Sequence, residues 1–334
     1  MKMTKYILTS FFTLLITAIA IPAFAEGKFS GLMFGDYYWF AKHNDTASKL
    51  ANGEYGIKGH NGFWMRRIYL TYDHKFDGDW SARFRLEANS SDFKTAAPSV
   101  ITPFVKDAFL QWKWNTRNLF FGLSGAPTFD LFENHWGLRA VEKTPEDLWN
   151  FGSARDFGVA AKGSYGDGLI SYHLMFGNGS SNKHETNNGK KGYLSLSSNP
   201  IKEVLLELYG DYESFTHNVV THIFAGYKIE TFRLGGLYSY AKQSNAAKNI
   251  TSLYGVYNFT DTFAVFGRMD KVSAGLGDAT YLHQSSASPP TLIIAGADFE
   301  LEKNIHLIPN IESVTYKEGV DSDLIPRLTF SWVF

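Results

Sequence analysis

The residues best placed to do chemistry are arginines that recur at every second position. In Trp80–Asn89, the side chains Trp80, Ala82, Phe84, Leu86 and Ala88 share one parity, and Ser81, Arg83, Arg85, Glu87 and Asn89 share the other. Upstream, Ile68, Leu70 and Tyr72 alternate with Arg67, Tyr69, Thr71 and Asp73, and Asp77-Gly78 centres the turn between the two stretches. Guanidinium groups spaced this way form no catalytic unit. They form a row of fixed positive charge on one face of a sheet. Facing bulk water, such a row is a solvated surface. Facing an enclosed lumen, it is a field that acts on passing ions.

Covalent and metal chemistry have less support. The chain has no cysteine, which excludes disulfides, thiolate metal sites, cysteine nucleophiles and a lipoprotein anchor. His283-Gln284-Ser285 has a His-x-Ser spacing, but it lies beside Ser286 and Ser288 with no third partner. His43 with Asp45 and His184 with Glu185 are pairs of the same ordinary kind. No metal-ligand spacing occurs, so the sequence assigns no catalytic residue, no metal and no cofactor.

The elements that must position the charges follow from the N-terminus and the repeat. Residues 1–25 read as a secretory signal: Lys2 and Lys5, an apolar Ile7–Ile21, and Ala23-Phe24-Ala25 before the cut. The apolar run is shorter than the roughly 20 residues a membrane helix needs. From 26 to 334 the alternation continues without a linker, giving about sixteen strands between 29–40 and 324–334. Long connections (41–62, 90–103, 126–153, 178–190, 243–249, 272–290, 316–323, with 214–218 a short exception) alternate with tight turns such as Lys75–Gly78, Asn115–Arg117 and Glu230-Thr231. This asymmetry implies an all-β, 16-stranded antiparallel transmembrane β-barrel with short periplasmic turns, long extracellular loops and both termini in the periplasm. Trp80, Trp114, Tyr165, Phe232, Phe259, Phe263 and Phe299 gather beside the tight turns as an aromatic girdle. In the last strand, Leu328, Phe330, Trp332 and Phe334 form an apolar row ending on the final residue, similar to the assembly signal read by the barrel-assembly machinery.

A lipid-facing arginine at the bilayer midplane costs roughly 2–4 kcal/mol. Arg67, Arg83, Arg85 and Arg327 are therefore expected to line the lumen on one wall, with Lys113 and Lys162 adding to it. Arg66, of outward parity, is expected to snorkel at the upper end of its strand. Hairpin pairing brings Arg67 near Arg83 or Arg85, relieved in part by Glu87 and Asp107. Glu207, Asp211 and Glu213 oppose them from across the barrel. The third long connection, 126–153, adds Asp130 and Glu133. It also carries a helix start, Thr144-Pro145-Glu146-Asp147, with Leu148, Trp149 and Phe151 to bury. Gly122, Ser124, Gly158 and Ala160 on the flanking strands leave room for this loop to fold inward.

The strand count and four stretches, RRIYLTYD…ARFRLE, KDAFLQWKW, GLSGAPTFD…ENHWGLRAVEKTPEDL and SARDFGVAAKG, resemble the phosphate-selective porin O/P-like family of outer-membrane porins, most clearly over 63–177. The resemblance implies a homotrimer of 16-stranded barrels with an inward-folded third loop. It also implies a basic ladder for phosphate, from which the mixed signs of this lumen depart. The expectation is a passive diffusion channel for small hydrophilic solutes with a modest anion preference. It would sit among outer-membrane lipid and lipopolysaccharide in a Gram-negative-type cell after Sec export and cleavage near Ala25, with no nucleic-acid partner. A structural or adhesin-type barrel with a plugged lumen, and a barrel hydrolase, are the alternatives.

Overall fold

The computed structural model describes residues 26–43, 57–90, 100–166, 168–243, 246–274, 288–316 and 321–334. The leader 1–25, Asp45 and the His283–Ser286 stretch lie outside the described residues. Sixteen strands follow in order: β1 (Glu26–Trp39), β2 (Asn61–Lys75), β3 (Trp80–Ala88), β4 (Phe104–Trp114), β5 (Arg117–Gly125), β6 (Arg155–Tyr165), β7 (Ile170–Gly177), β8 (Lys191–Ser198), β9 (Val204–Glu213), β10 (Val219–Lys228), β11 (Phe232–Gln243), β12 (Ala246–Thr260), β13 (Phe263–Val272), β14 (Thr291–Glu302), β15 (Ile305–Thr315) and β16 (Asp323–Val333). Each pairs antiparallel with its sequence neighbours, and β1 pairs with β16 to close the barrel. At the seam, Gly31 and Phe334 exchange both backbone hydrogen bonds at 3.0 Å.

The outward parity is apolar around the circumference: Leu70, Phe84, Leu110, Leu174, Leu208, Ile223, Leu253 and Ile293 are all exposed. A continuous apolar belt on the outside is stable against lipid, not water. No helix among the described residues is long and apolar enough to cross a membrane; the strands do the crossing. Near the tight turns, Trp80, Trp112 and Trp114 stack in sequence at centroid distances of 5.9 and 6.2 Å, and Phe263 stacks on Phe299 at 4.9 Å. These rings form the expected girdle.

Among the described residues four register shifts interrupt the ladders; those at Asn258/Thr260 and Glu300/Glu302 lie beside tight turns, and the other two redirect cations. Opposite β1 the register steps from Phe34↔Arg67 to Gly35↔Met65, leaving Arg66 as the extra residue. Opposite β3 it steps from Arg85↔Asp107 to Leu86↔Val105, leaving Lys106 extra. A bulge lets consecutive residues turn to the same face. Arg66 therefore does not snorkel outward as its parity suggested. It is inside and 8% exposed, 2.5 Å from Asp36.

Candidate pore constriction

The third loop leaves β5 and carries two short helices, α1 (Asp130–Trp136) and α2 (Pro145–Leu148). The second is the helix announced by Thr144-Pro145: Thr144 accepts from the Asp147 backbone N–H at 3.4 Å, with proline in the first turn. The first had no such signal, because Phe129 at its N-cap makes no side-chain cap. It ends at Gly137, whose φ of 69° lets its N–H reach the Glu133 carbonyl.

The loop is amphipathic and lies against one side of the lumen. Phe132, Trp136, Leu148, Trp149 and Phe151 are buried in one cluster with inward-facing Phe224, Tyr254, Phe266, Ile294 and Ile308. Trp136 meets Tyr254 edge-on at 4.9 Å, and Phe132 lies 5.2 Å from Phe224. The wall is hollowed to receive α1: a Cβ on Gly226 would sit 2.5 Å from the His135 ring. Burial, with the charges of Arg233 and Lys228, lowers the His135 imidazole to about 4, so it is neutral at physiological pH.

Three wall arginines grip the loop backbone. Arg66 and Arg327 each donate to the Val141 carbonyl at 2.9 Å, and Arg268 donates to the Lys143 carbonyl at 2.5 Å. Each also holds a wall carboxylate: Asp36, Glu312 and Asp270 respectively. Glu146 docks into β10 and β11 through His222 at 3.0 Å and Ser239 at 2.6 Å, and Trp149 donates to Asp270 at 3.2 Å.

The remaining lumen runs along β1–β6. A cavity of about 630 Å3 opens toward the tight turns, lined by Lys28, Lys75, Arg83, Arg155 and Lys162 against Asp73, Asp107 and Asp130. A second, of about 590 Å3, opens toward the loops. It is lined by Arg66, Arg67, Lys106, Arg139, Lys143 and Arg155 against Glu87, Glu133 and Asp147. Basic side chains outnumber acidic ones in both. Most are paired: Arg67 and Lys106 share Glu87 at 3.0 and 2.8 Å, and Arg83 binds Asp73 bidentately at 2.7 and 2.9 Å. Arg85 and Arg155 share Asp107, Lys162 reaches Asp130 at 3.3 Å, and Arg139 reaches Glu133 at 3.2 Å and Asp147 at 3.3 Å. Burial works against ionisation of Asp147, but Lys143, Arg139 and Arg67 prevail and hold its carboxyl below the usual range.

Several expected positions need correction. Arg67 does not face Arg83 or Arg85: Thr71 pairs with Arg85 and Asp73 with Arg83. The Tyr69 ring lies between the Arg67 and Arg85 guanidinium groups, 4.9 and 4.8 Å from them. Like charges are separated by a π-face and by Glu87. Arg327 is fully buried and anchors the loop instead of lining open space. Glu207 and Asp211 do not face water across the barrel. The loop seals them at 2% and 6% exposure, where Glu207 accepts from Ser195 and Asp211 pairs with Lys191. Glu213 turns upward to cap Phe215 and Thr216 at the strand end. Lys113 is exposed beside the Asn115 turn, at the mouth of the barrel. The acids that do oppose the basic wall are Asp130, Glu133 and Asp147 of the loop.

Parity alone missed three cations that line these cavities. Arg66 and Lys106 enter through the two bulges. Arg155 opens β6 on the parity of exposed Phe157 and Val159, yet at the first residue of a strand the ladder does not yet dictate side-chain direction. Glu185 is engaged locally, accepting from the Thr186 and Asn187 backbone N–H groups and pairing with Lys190. Among the described residues, no group of three or more potential metal ligands converges.

No protein-family model and no curated protein sequence matches the chain. Solved structures do. Salmonella typhi OmpF in complex with daunomycin superposes with a TM-score of 0.69 at 11% identity, covering 92% of this chain and 97% of that one. The outer membrane channel DcaP of Acinetobacter baumannii gives 0.63 at 12%, covering 94% and 98%. The trimer form of in-vitro folded OmpT, an outer membrane protein of Vibrio cholerae, gives 0.60 at 10%, covering 93% and 99%. The chain thus has the closed sixteen-stranded antiparallel barrel fold seen in outer-membrane porins.

Proposed function

We propose that this protein is an outer-membrane diffusion channel for small hydrophilic solutes with a modest preference for anions, working as a homotrimer. The observation that carries the reading is the pair of charged cavities at the two ends of the β1–β6 side, each with more basic than acidic side chains. Pairing with carboxylates keeps the field mixed, which favours a general anion preference over a phosphate-specific ladder. The trimer form of the Vibrio cholerae protein of like fold supports the oligomeric state. Residues 1–25 serve as the export leader, and the Leu328–Phe334 row serves the barrel-assembly machinery and the fit to membrane lipid and lipopolysaccharide.

The test is the reversal potential of the purified protein in a planar bilayer under a KCl gradient. An anion-directed potential that shrinks at high salt supports the reading; a cation-directed one overturns the preference. The apolar packing of the third loop favours one second reading, a plugged structural barrel. Absence of single-channel steps in a folded, bilayer-inserted protein would decide for that alternative. Adding phosphate to a chloride-conducting channel distinguishes the phosphate-selective subtype: a block of chloride current marks it, and an unchanged current excludes it.

A further inference from the structure

We infer that Arg155 is the selectivity-determining side chain of this pore, an inference that rests on the channel reading above. Among the described residues it is the one side chain that lines both cavities. It therefore borders the ground between them, which on the channel reading is the neck a solute crosses in passing from one to the other. It occupies the point where the third loop ends and β6 begins, pairing with Gly125 at the end of β5.

The neighbours hold the guanidinium in place. Its Nε donates to Asp107, and its Nη1 donates to the Ala154 carbonyl at 2.7 Å. Asp107 is not its own to neutralise, because Arg85 engages the other carboxylate oxygen at 3.2 Å. Opposite, Asp130 of α1 is engaged by Lys162 at 3.3 Å. A Cβ placed on Gly125 would lie 3.8 Å from both Arg155 Nη1 and Asp130 Oδ2, so the two side chains flank the same small gap. Two carboxylates thus meet three cations at the neck, which leaves it net positive.

Position makes this charge count for more than the others. The Debye length at physiological salt is about 8 Å. Charges in an open vestibule are screened by ions that enter beside the solute. A charge at a neck is felt by every ion that passes, because solvent there is too thin to screen it. Arg83 and Arg67 each line only one cavity, so they modulate what Arg155 sets. The solutes so selected are small inorganic or organic anions.

The chain has no cysteine, so Arg155→Cys introduces the only thiol. In planar bilayers, the variant should lower the anion-to-cation permeability ratio by about twofold or more. A cationic methanethiosulfonate should restore the ratio, an anionic one should lower it further, and the thiol should react from either chamber. Thr102→Cys, in the loop-end cavity alone, should react with a smaller change in the ratio than at 155; an equal or larger change there overturns the assignment to Arg155. If Arg155→Cys fails to fold, Gly125→Cys puts a thiol at the same neck with Arg155 intact. There the cationic reagent should raise the ratio and the anionic one lower it. A conducting wild type whose ratio ignores modification at both 155 and 125 overturns the inference alone. A wild type that does not conduct overturns the channel reading with it.

Discussion

From β7 to β15 the lumen wall presents Met175, Tyr193, Phe224, Tyr254, Phe266, Ile294 and Ile308, and the third loop lies on them. From β2 to β6 it presents Arg67, Tyr69, Arg83, Glu87, Asp107 and Lys162, and cavities lie beside them. Both halves turn the same kind of apolar surface to lipid. They differ in what the inner parity carries, and that decides which half is core and which keeps open cavities. The same residue types also behave differently in the two halves. Arg327 and Glu312 on the packed side are fully buried, whereas Arg83 and Asp73 on the open side keep 35% and 41% of their side-chain surface. Breaking a buried pair strands a charge without water and costs roughly 3–5 kcal/mol. Breaking an exposed pair costs about 0–1 kcal/mol.

The largest effects should come from the packed half. Trp136→Ala empties a fully buried site between Tyr254 and Phe266, and should cost about 3–5 kcal/mol. Urea unfolding in detergent would measure that loss, and a rise in protease cutting between 126 and 153 would show the loop undocking. Arg327→Gln should fall in a similar range, since Glu312 and Glu142 lose their cation. Its counterpart sharpens the contrast: Arg83→Gln should change stability by less than about 1 kcal/mol. Equal costs for the two arginine variants would erase the distinction between the halves.

Charge reversal on the open half should show in selectivity instead. Arg83→Glu with Arg85→Glu should move the reversal potential toward cations while the unfolding midpoint changes little, and raising the salt should narrow the difference. A double variant indistinguishable from wild type would show that this row has no part in the field.

The smallest effect concerns pH. His135 is held near 4 in the docked loop by burial and by Arg233 and Lys228, against about 6.5 when free. The docked state prefers the neutral ring, so its advantage is full above about pH 6.5 and is lost progressively as pH falls toward 4. Channel noise or tryptophan emission should report loosening across that window, and His135→Gln should flatten the response. A wild-type response centred below pH 4 would assign it to carboxylates instead.

Much of the framework was legible from residue order. The first and last strands, read at 29–40 and 324–334, are β1 (26–39) and β16 (323–333) in the structure, and the count of sixteen holds. The Thr144-Pro145 helix start was equally readable. The first loop helix was not, because it has no side-chain cap and is held by aromatic contacts to β10, β12 and β13. Such contacts join residues about a hundred positions apart, which no local pattern encodes.

The sequence by itself determined the barrel, because successive side chains on a strand must point to opposite faces. Period two, turn residues and loop lengths are local quantities. Parity placed Arg67, Arg83 and Lys162 in the lumen, and only the tertiary structure decided that Arg66, Lys106 and Arg155 join them. Arg66 and Lys106 are admitted by bulges, which exist only as a mismatch between two paired strands. Arg155 is directed by the loop that ends beside it and by the carboxylate of Asp107 on another strand. Tertiary packing likewise sealed Glu207 and Asp211 under the loop and left Asp130, Glu133 and Asp147 facing the basic wall. Burial and pairing belong to the partner as much as to the residue, so neither can be read from one strand alone.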